Sequence, residues 1–230
     1  MIDQDRSLSV DARPGPMQLD PRDTAVIVVD MQHGFVGDGG WWDRAGVDLS
    51  GIQAAVDPIS RVLEMARGAG MAVIYLMMDL EGADERRSPR LSRYFEHVRR
   101  DIPISFGRVA GMRESDILPA IAPEPGEIVI EKSRHSGFFD TDLDIRLEAH
   151  GITTLVFTGC TTSVCVESTL RDAFFRDYRC LLLEDCVAEP LGAGNHEATL
   201  RLVEFLYGWV GLSGDFERAL RLADASLVRG

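Results

Sequence analysis

The sequence lacks several features that would assign it to large classes of protein. No apolar run approaches the roughly 20 residues that a membrane helix needs, and the start, MIDQDRSLSV, has neither the basic flank nor the apolar core of a signal peptide. Basic residues are few, with 24 Lys and Arg against 37 Asp and Glu, so the formal net charge of -13 repels phosphate backbones. These absences predict a cytoplasmic protein that binds neither membranes nor nucleic acid.

Cysteine is also scarce. The four Cys residues show no C-x-x-C spacing of the kind that holds zinc, and a chain of 230 residues does not need disulfides to be stable. We therefore expect free thiols. Hydrophobic residues make up 45% and charged residues 27%, which is typical of one globular domain. We assign that domain to residues 21–230 and expect a flexible N-terminal tail over residues 1–20.

Apolar runs bounded by turn residues alternate with amphipathic segments, which predicts an α/β fold with a mostly parallel sheet and helices on both faces. Strands are expected at 24–30, 71–78, 127–132, 153–159, 179–185 and 207–211, and helices at about 51–70, 141–150, 163–177 and 194–207. The polar interval 79–126 is too long for a simple crossover. We interpret it as a lid or an oligomer contact, although a solvated charged helix explains its charges equally well.

Three reactive side chains follow strand ends, where open parallel sheets bind their ligands. The first strand ends at Asp30, the third ends at Lys132, and the fourth leads into GCTTSVC, with Cys165 in the first turn of a helix. The helix dipole there favours a thiolate. Taken singly, each residue has a simpler explanation: an Asx turn for Asp30, a lysine reaching water for Lys132, and buried apolar packing for Cys165.

Three blocks, in this order, resemble the signatures of the isochorismatase-like cysteine hydrolases: VIVVDMQ (26–32), EKSRHSGFFDTDLD (131–144) and GCTTSVCVESTLRDAFFRDY (159–178). Within that family, ARPGPM, SGFF, VCVESTLRDAFF and GWV are most similar to the ureidoacrylate and peroxyureidoacrylate amidohydrolases. The resemblance covers roughly residues 15–215. It implies a three-layer, Rossmann-like αβα fold with six strands in the order 3-2-1-4-5-6.

The resemblance also implies a catalytic triad of Asp30, Lys132 and Cys165, and a cis peptide bond between Cys160 and Thr161. The backbone amides of Thr161 and Cys165 would form an oxyanion hole. The Cys165 thiolate would attack an amide or carbamoyl carbon, Asp30 would carry the proton, and water would hydrolyse a thioester-like intermediate. No metal or other cofactor is expected, because the segment MMDLEGADERR (77–87) lacks the histidines by which related nicotinamidases bind zinc. The isochorismate-cleaving members lack the nucleophilic cysteine.

The expected partner is a small amide or ureido substrate, and the expected assembly is a homodimer or homotetramer. Trp41 and Trp42 are either an apolar wall of the pocket or an oligomer contact. The apolar residues Met77, Met78 and Leu80 suit a bulkier apolar or cyclic amide as the substrate. Besides that alternative, an ester substrate and a catalytically silent binding or scaffold protein also stay open. The residues expected to bind the substrate are Gln32, Phe35, Trp41, Met78, His135 and Phe138.

Overall fold

A seven-stranded sheet forms the centre of the computed structural model, which describes residues 7–79, 107–109 and 111–227. Its spatial order is β8-β5-β4-β9-β10-β11-β2. The first six of these strands are parallel and reproduce the predicted order 3-2-1-4-5-6, while β2 adds an antiparallel edge. The strands in chain order are β1 Leu8–Val10, β2 Ala12–Arg13, β3 Met17–Leu19, β4 Thr24–Val29, β5 Ala72–Met78, β6 Arg108–Val109, β7 Met112–Arg113, β8 Ile128–Lys132, β9 Thr154–Cys160, β10 Arg179–Ala188 and β11 Trp209–Gly211.

Helices cover both faces of this sheet. In chain order they are α1 His33–Val36, α2 Trp41–Arg44, α3 Ser50–Ala54, α4 Val56–Gly68, α5 Leu143–Ala149, α6 Glu167–Phe174, α7 Ala193–Leu202 and α8 Ser213–Leu227. Turns of π-helix at Thr162–Val166 and Val203–Tyr207 precede α6 and follow α7. Helix α8, whose residue Phe216 is fully buried, was not predicted from the sequence.

Every residue of β4 is buried, as its unbroken apolar sequence predicts for a strand covered on both faces. Successive side chains alternate between two hydrophobic clusters. Val26 and Val28 pack with residues of α4 and α8, whereas Ala25, Ile27 and Val29 pack with residues of α5, α6 and α7. The fold is therefore the expected three-layer αβα arrangement.

The expected flexible tail over residues 1–20 is corrected for residues 7–20. Strands β1 and β3 form an antiparallel pair, and β2 joins the edge of the main sheet beside β11. The four apolar side chains of β1 and β3 are buried in the core, namely Leu8, Val10, Met17 and Leu19. Three-residue strands give too short an alternating pattern to be recognised among polar residues.

The interval 79–126, interpreted as a lid or an oligomer contact, lies largely outside the described residues, because 80–106 and 110 are not among them. The part described forms the hairpin of β6 and β7 and a 3-10 turn at Pro119–Ile121. It packs beside the chain that leaves β4, where the backbone amides of His33 and Gly34 donate to the carbonyls of Asp116 and Glu114 at 2.8 and 2.9 Å.

Candidate active site

Asp30 is held at the carboxyl end of β4, near the middle of the sheet. Its φ of +52° turns the chain out of the strand, in a region that Asp tolerates better than most residues. Its amide donates to the carbonyl of Leu76 at 2.9 Å, and its carbonyl accepts from the Cys160 thiol at 3.3 Å. The side chain is buried, and Oδ1 has no hydrogen-bond partner among the described residues. The site thus contains a buried oxygen that can accept a proton.

Lys132 ends β8 and forms a buried ion pair with Asp30. Its Nζ lies 2.7 Å from Asp30 Oδ2 and 3.3 Å from the carbonyl of Arg134, and the side chain is fully enclosed. Burial opposes the charged form, but the Asp30 carboxylate and the Cys165 sulfur outweigh burial, so the pKa of Lys132 is raised. The site therefore holds a fixed positive charge.

Cys165 lies just beyond the end of β9. The strand ends at Cys160, the Cys160–Thr161 peptide bond is cis, and the π-helical turn Thr162–Val166 leads into α6. Gly159, with φ +109°, lets β9 approach β4 closely, since a Cβ there would lie 2.1 Å from the carbonyl oxygen of Val29. This close approach brings the turn that carries Cys165 to the edge where Asp30 ends its strand.

The environment of Cys165 keeps its thiol protonated in the resting site. Burial raises the pKa of the thiol, the nearby Asp30 carboxylate raises it further, and Lys132 offsets only part of this effect. Burial and the Asp30 carboxylate therefore oppose the thiolate that the start of a helix was expected to favour. Cys165 Sγ also lies 3.6 Å from His135 Nδ1.

Several residues that were not predicted from the sequence hold the Cys165 turn in place. Glu189, which follows the last residue of β10, accepts hydrogen bonds from both the amide and the hydroxyl of Ser163, with the amide at 2.9 Å. Thr162 Oγ1 lies 3.0 Å from His196 Nδ1, and Thr169 Oγ1 donates to the carbonyl of Cys165 at 2.7 Å. A carboxylate after a strand end was a usable signal, but β10 was predicted to end at residue 185.

Gln32 and Met78, predicted to bind the substrate, contact each other. Gln32 Nε2 donates to the carbonyls of Met78 and Ser115 at 2.9 and 3.1 Å, and Gln32 Oε1 accepts from the amide of Met78 at 2.8 Å. These bonds commit both ends of the buried Gln32 amide to the protein backbone. Met78 is partly buried and pairs with Lys132 across β5 and β8, so it stands at the same sheet edge as the ion pair.

The aromatic residues predicted to bind the substrate pack in two different places. Phe35 and Trp41 are buried with Trp42 in the cluster that includes α4 and α8, with ring centroids 4.7 Å apart for Phe35 and Trp42. Phe138 belongs to the cluster that contains Cys165, and its ring lies under the Arg176 guanidinium at 4.8 Å. Trp41 is buried and Trp42 is partly buried, so the pair packs within the cluster that includes α4 and α8.

Within residues 7–79, 107–109 and 111–227, no group of three or more His, Cys, Asp and Glu side chains could hold a metal ion, and no helix is long and apolar enough to cross a membrane. The four cysteines are free thiols, as expected.

A buried thiol thus lies beside an Asp–Lys ion pair at the carboxyl edge of a parallel sheet, where folds of this three-layer α/β class bind their ligands. The chain belongs to the isochorismatase family, because the family model described as "Isochorismatase domain" matches residues 24–213. This result confirms the resemblance found in the sequence.

Individual relatives agree with this assignment. The ureidoacrylate amidohydrolase RutB of Variovorax paradoxus (strain S110) is 41% identical over 221 residues, which cover 93% of this chain and 88% of the relative. Among solved structures, a cysteine hydrolase from Pseudomonas syringae pv. phaseolicola 1448A has a TM-score of 0.73 at 28% identity, covering 89% of this chain and 95% of that one. N-carbamoylsarcosine amidase from Thermoplasma acidophilum has a TM-score of 0.61 at 28% identity, covering 83% and 96%.

Proposed function

We propose that this chain is a metal-independent cysteine amidohydrolase that cleaves the carbon–nitrogen bond of a small amide, carbamoyl or ureido compound. The observation that carries the proposal is the 2.7 Å buried ion pair of Asp30 and Lys132 beside the Cys165 thiol. Burying two charges costs free energy that a purely structural role does not require. Their position next to a nucleophile gives both charges a catalytic use.

The reaction begins when Asp30 takes the thiol proton and Lys132 stabilises the thiolate that forms. The sulfur of Cys165 then attacks the amide or carbamoyl carbon and gives a tetrahedral intermediate. Asp30 returns the proton to the leaving nitrogen, the carbon–nitrogen bond breaks, and ammonia or an amine departs. Water then loses a proton to Asp30 and attacks the thioester-type intermediate, which releases the acid and restores the thiol.

The negative oxygen of the tetrahedral intermediate needs hydrogen-bond donors. We assign that role to the backbone amides of Thr161, which directly precedes the π-helical turn, and of Cys165, which lies within it. Fixed amides in a site closed to water stabilise a developing oxyanion far better than mobile water does, and losing one such donor costs about 3 to 4 kcal/mol. The contacts of Glu189 and Thr169 with this turn support its fixed position.

For the substrate, we propose a ureido acid of the ureidoacrylate type. The support comes from the named activities of the relatives, one acting on ureidoacrylate and one on N-carbamoylsarcosine, both of which carry a carbamoyl nitrogen. His135 and Phe138 are the proposed substrate contacts of the loop after β8, with Met78 as an apolar wall. Met77 and Met78, both partly buried at the end of β5, favour the second candidate, a bulkier apolar or cyclic amide.

An ammonia-release screen over ureido acids, carbamates, lactams and aryl amides tests the proposal. The Cys165→Ala variant serves as the blank and should lose turnover completely while keeping the thermal melting temperature of the wild type. Turnover that survives in this variant would reject the nucleophilic role of Cys165. If the wild-type chain were inactive on every amide and ester, the catalytically silent scaffold would be the better explanation.

The same proposal includes a homo-oligomer, either a dimer or a tetramer, and a cytoplasmic location. Sedimentation equilibrium of the purified chain measures the first, and fractionation of cells measures the second.

A further inference from the structure

Five exposed apolar side chains lie together at one end of the molecule. They come from the last residue of α6 and the residue after it, from the last residue of α7, and from the π-helical turn that follows α7. Their exposed fractions run from 37% to 84%. Rings of Phe174 and Phe175 contact Tyr207, with centroids 5.4 and 6.4 Å apart, which joins the two elements into one surface. We call this surface the Phe205 face, and its five residues are Phe174, Phe175, Leu202, Phe205 and Leu206.

The shape of the Phe205 face combines a projection with two hollows. Phe205 is the most exposed of the five, at 84%. It borders one hollow of about 660 Å³ together with Ala198 and Leu202, and a second of about 600 Å³ together with Tyr207 and Trp209. A projecting ring between two hollows is self-complementary, since a twofold axis can place each ring in a hollow of the other copy.

The apolar area of this face matches one half of a stable interface. With about 200 Å² for a fully exposed aromatic side chain, the five exposed fractions correspond to roughly 500 Å² of apolar surface. An interface of standard size buries about 800 Å² on each partner, of which roughly 450 to 520 Å² is apolar. A patch of this size is at the upper end of what monomers expose.

The charge of this face also suits a second copy. The whole chain carries a formal net charge of -13, so two copies repel each other overall. The charged residues that line the two hollows are balanced, because Arg179 and Arg201 stand against Asp177 and Glu204. Contact through this face therefore brings no excess of like charge together at the two hollows.

We propose that the Phe205 face binds the same face of a second copy of this chain, as a twofold-symmetric dimer. This inference rests on the homo-oligomer in the proposed function and names its surface. The face lies at the amino ends of β10 and β11, where the lining residues Arg179 and Trp209 begin their strands. Asp30 and Lys132 stand at the carboxyl ends of their strands, so the dimer leaves the catalytic groups free.

Sedimentation equilibrium of the full chain tests this proposal. The wild type should have twice the 25.4 kDa chain mass at micromolar concentration. Phe205→Asp should raise the dissociation constant by on the order of a hundredfold or more, because each dimer loses two central aromatic contacts and gains two buried charges. Phe175→Asp, at the edge of the same face, should weaken the dimer less. The matched control is Leu222→Asp, which changes a side chain with 66% exposure on α8 and should leave the dimer intact.

Turnover per chain separates this proposal from the proposed function. A monomeric Phe205→Asp chain should keep the kcat of the wild type within about twofold, because the catalytic groups lie at the other edge of the sheet. A wild-type monomer, or a dimer that survives in both Phe205→Asp and Phe175→Asp, overturns the proposal. A tetramer that falls to dimers in Phe205→Asp supports it. If the wild type dimerises through this face but has no activity, only the proposed function fails.

Discussion

Replacing Asp30 with Asn should make the Cys165 thiol more reactive while it removes turnover. Asparagine keeps the size of the side chain and an oxygen that Lys132 can still contact, but it removes the negative charge. In the wild type, that charge raises the pKa of Cys165 and neutralises Lys132 at 2.7 Å. Without it, a buried ammonium stands beside the thiol with no counter-charge, and the thiolate becomes the favoured counter-ion.

Coulomb's law gives the order of magnitude of the effect. Two unit charges about 4 Å apart interact by roughly 4 kcal/mol at an effective dielectric constant of 20. If only a third of this energy lowers the free energy of deprotonation of the Cys165 thiol, the thiolate fraction rises about tenfold. The rate of alkylation rises by the same factor. Turnover should fall by about a hundredfold to ten-thousandfold, because the variant has no group to carry the proton.

The assay is iodoacetamide labelling at neutral pH, followed by peptide mass spectrometry that reports Cys165 separately from the other cysteines. The matched variant is Lys132→Met, which removes the charge that favours the thiolate and should slow labelling. Both folded variants are compared with the wild type, whose Cys165 should label more slowly than free cysteine. Labelling of Asp30→Asn that is slower than that of the wild type would refute the reasoning, since Asp30 would then already hold the thiol proton in the resting site.

Three further predictions concern the turn at Ser163, the side chain of Gln32 and the four buried thiols. Glu189→Ala should lower kcat about tenfold with little change in KM, because it releases the turn at Ser163. Glu189→Gln should restore most of the kcat, because its amide oxygen still accepts hydrogen bonds from Ser163. Steady-state kinetics measures both variants. Gln32→Ala should destabilise the fold by about 2 to 4 kcal/mol in urea titration, because the Met78 amide loses its partner. Burial raises the pKa of all four thiols above their usual 9.0, so the unfolded chain releases protons that the folded chain keeps as pH rises through 9. Stability in reducing buffer should therefore fall above pH 9, by up to about 1.4 kcal/mol per pH unit for each thiol, and less steeply in Cys180→Ala.

The positions of the first five parallel strands could be predicted because each one has a long enough apolar pattern, whereas their spatial order was implied by the family resemblance. TAVIVV is buried on both faces, and this shows in the sequence as an unbroken apolar run. The three N-terminal strands could not be predicted in this way, because each has two or three residues and depends on a distant partner. The end of β10 could not be predicted either. A register shift between Leu182 and Val187 prolongs the strand past the polar pair at 184–185.

The site was predictable in its members but not in its electrostatics. Strand ends bring Asp30 and Lys132 to one edge, and that follows from the parallel sheet alone. The protonation of Cys165 depends on how deeply the thiol is buried and how close a carboxylate lies, and neither is encoded in a local pattern. The helix start, which is visible in the sequence, favours the opposite state. Gln32 was likewise predicted to bind the substrate. Its backbone partners at Met78 and Ser115 lie far away in the chain, so its structural role could not be recognised from the sequence.

A raised pKa at Cys165 is compatible with catalysis because the proton does not have to leave the site. Loss of the proton to solvent would add a negative charge to a buried region, and the raised pKa reports that cost. Transfer from Cys165 to Asp30 adds no net charge, since the site contains one negative and one positive charge before and after the step. Lys132 then neutralises the sulfur in place of the carboxylate. In the proposed mechanism, a resting thiol of low reactivity and a nucleophile formed by internal transfer are thus consequences of the same ion pair.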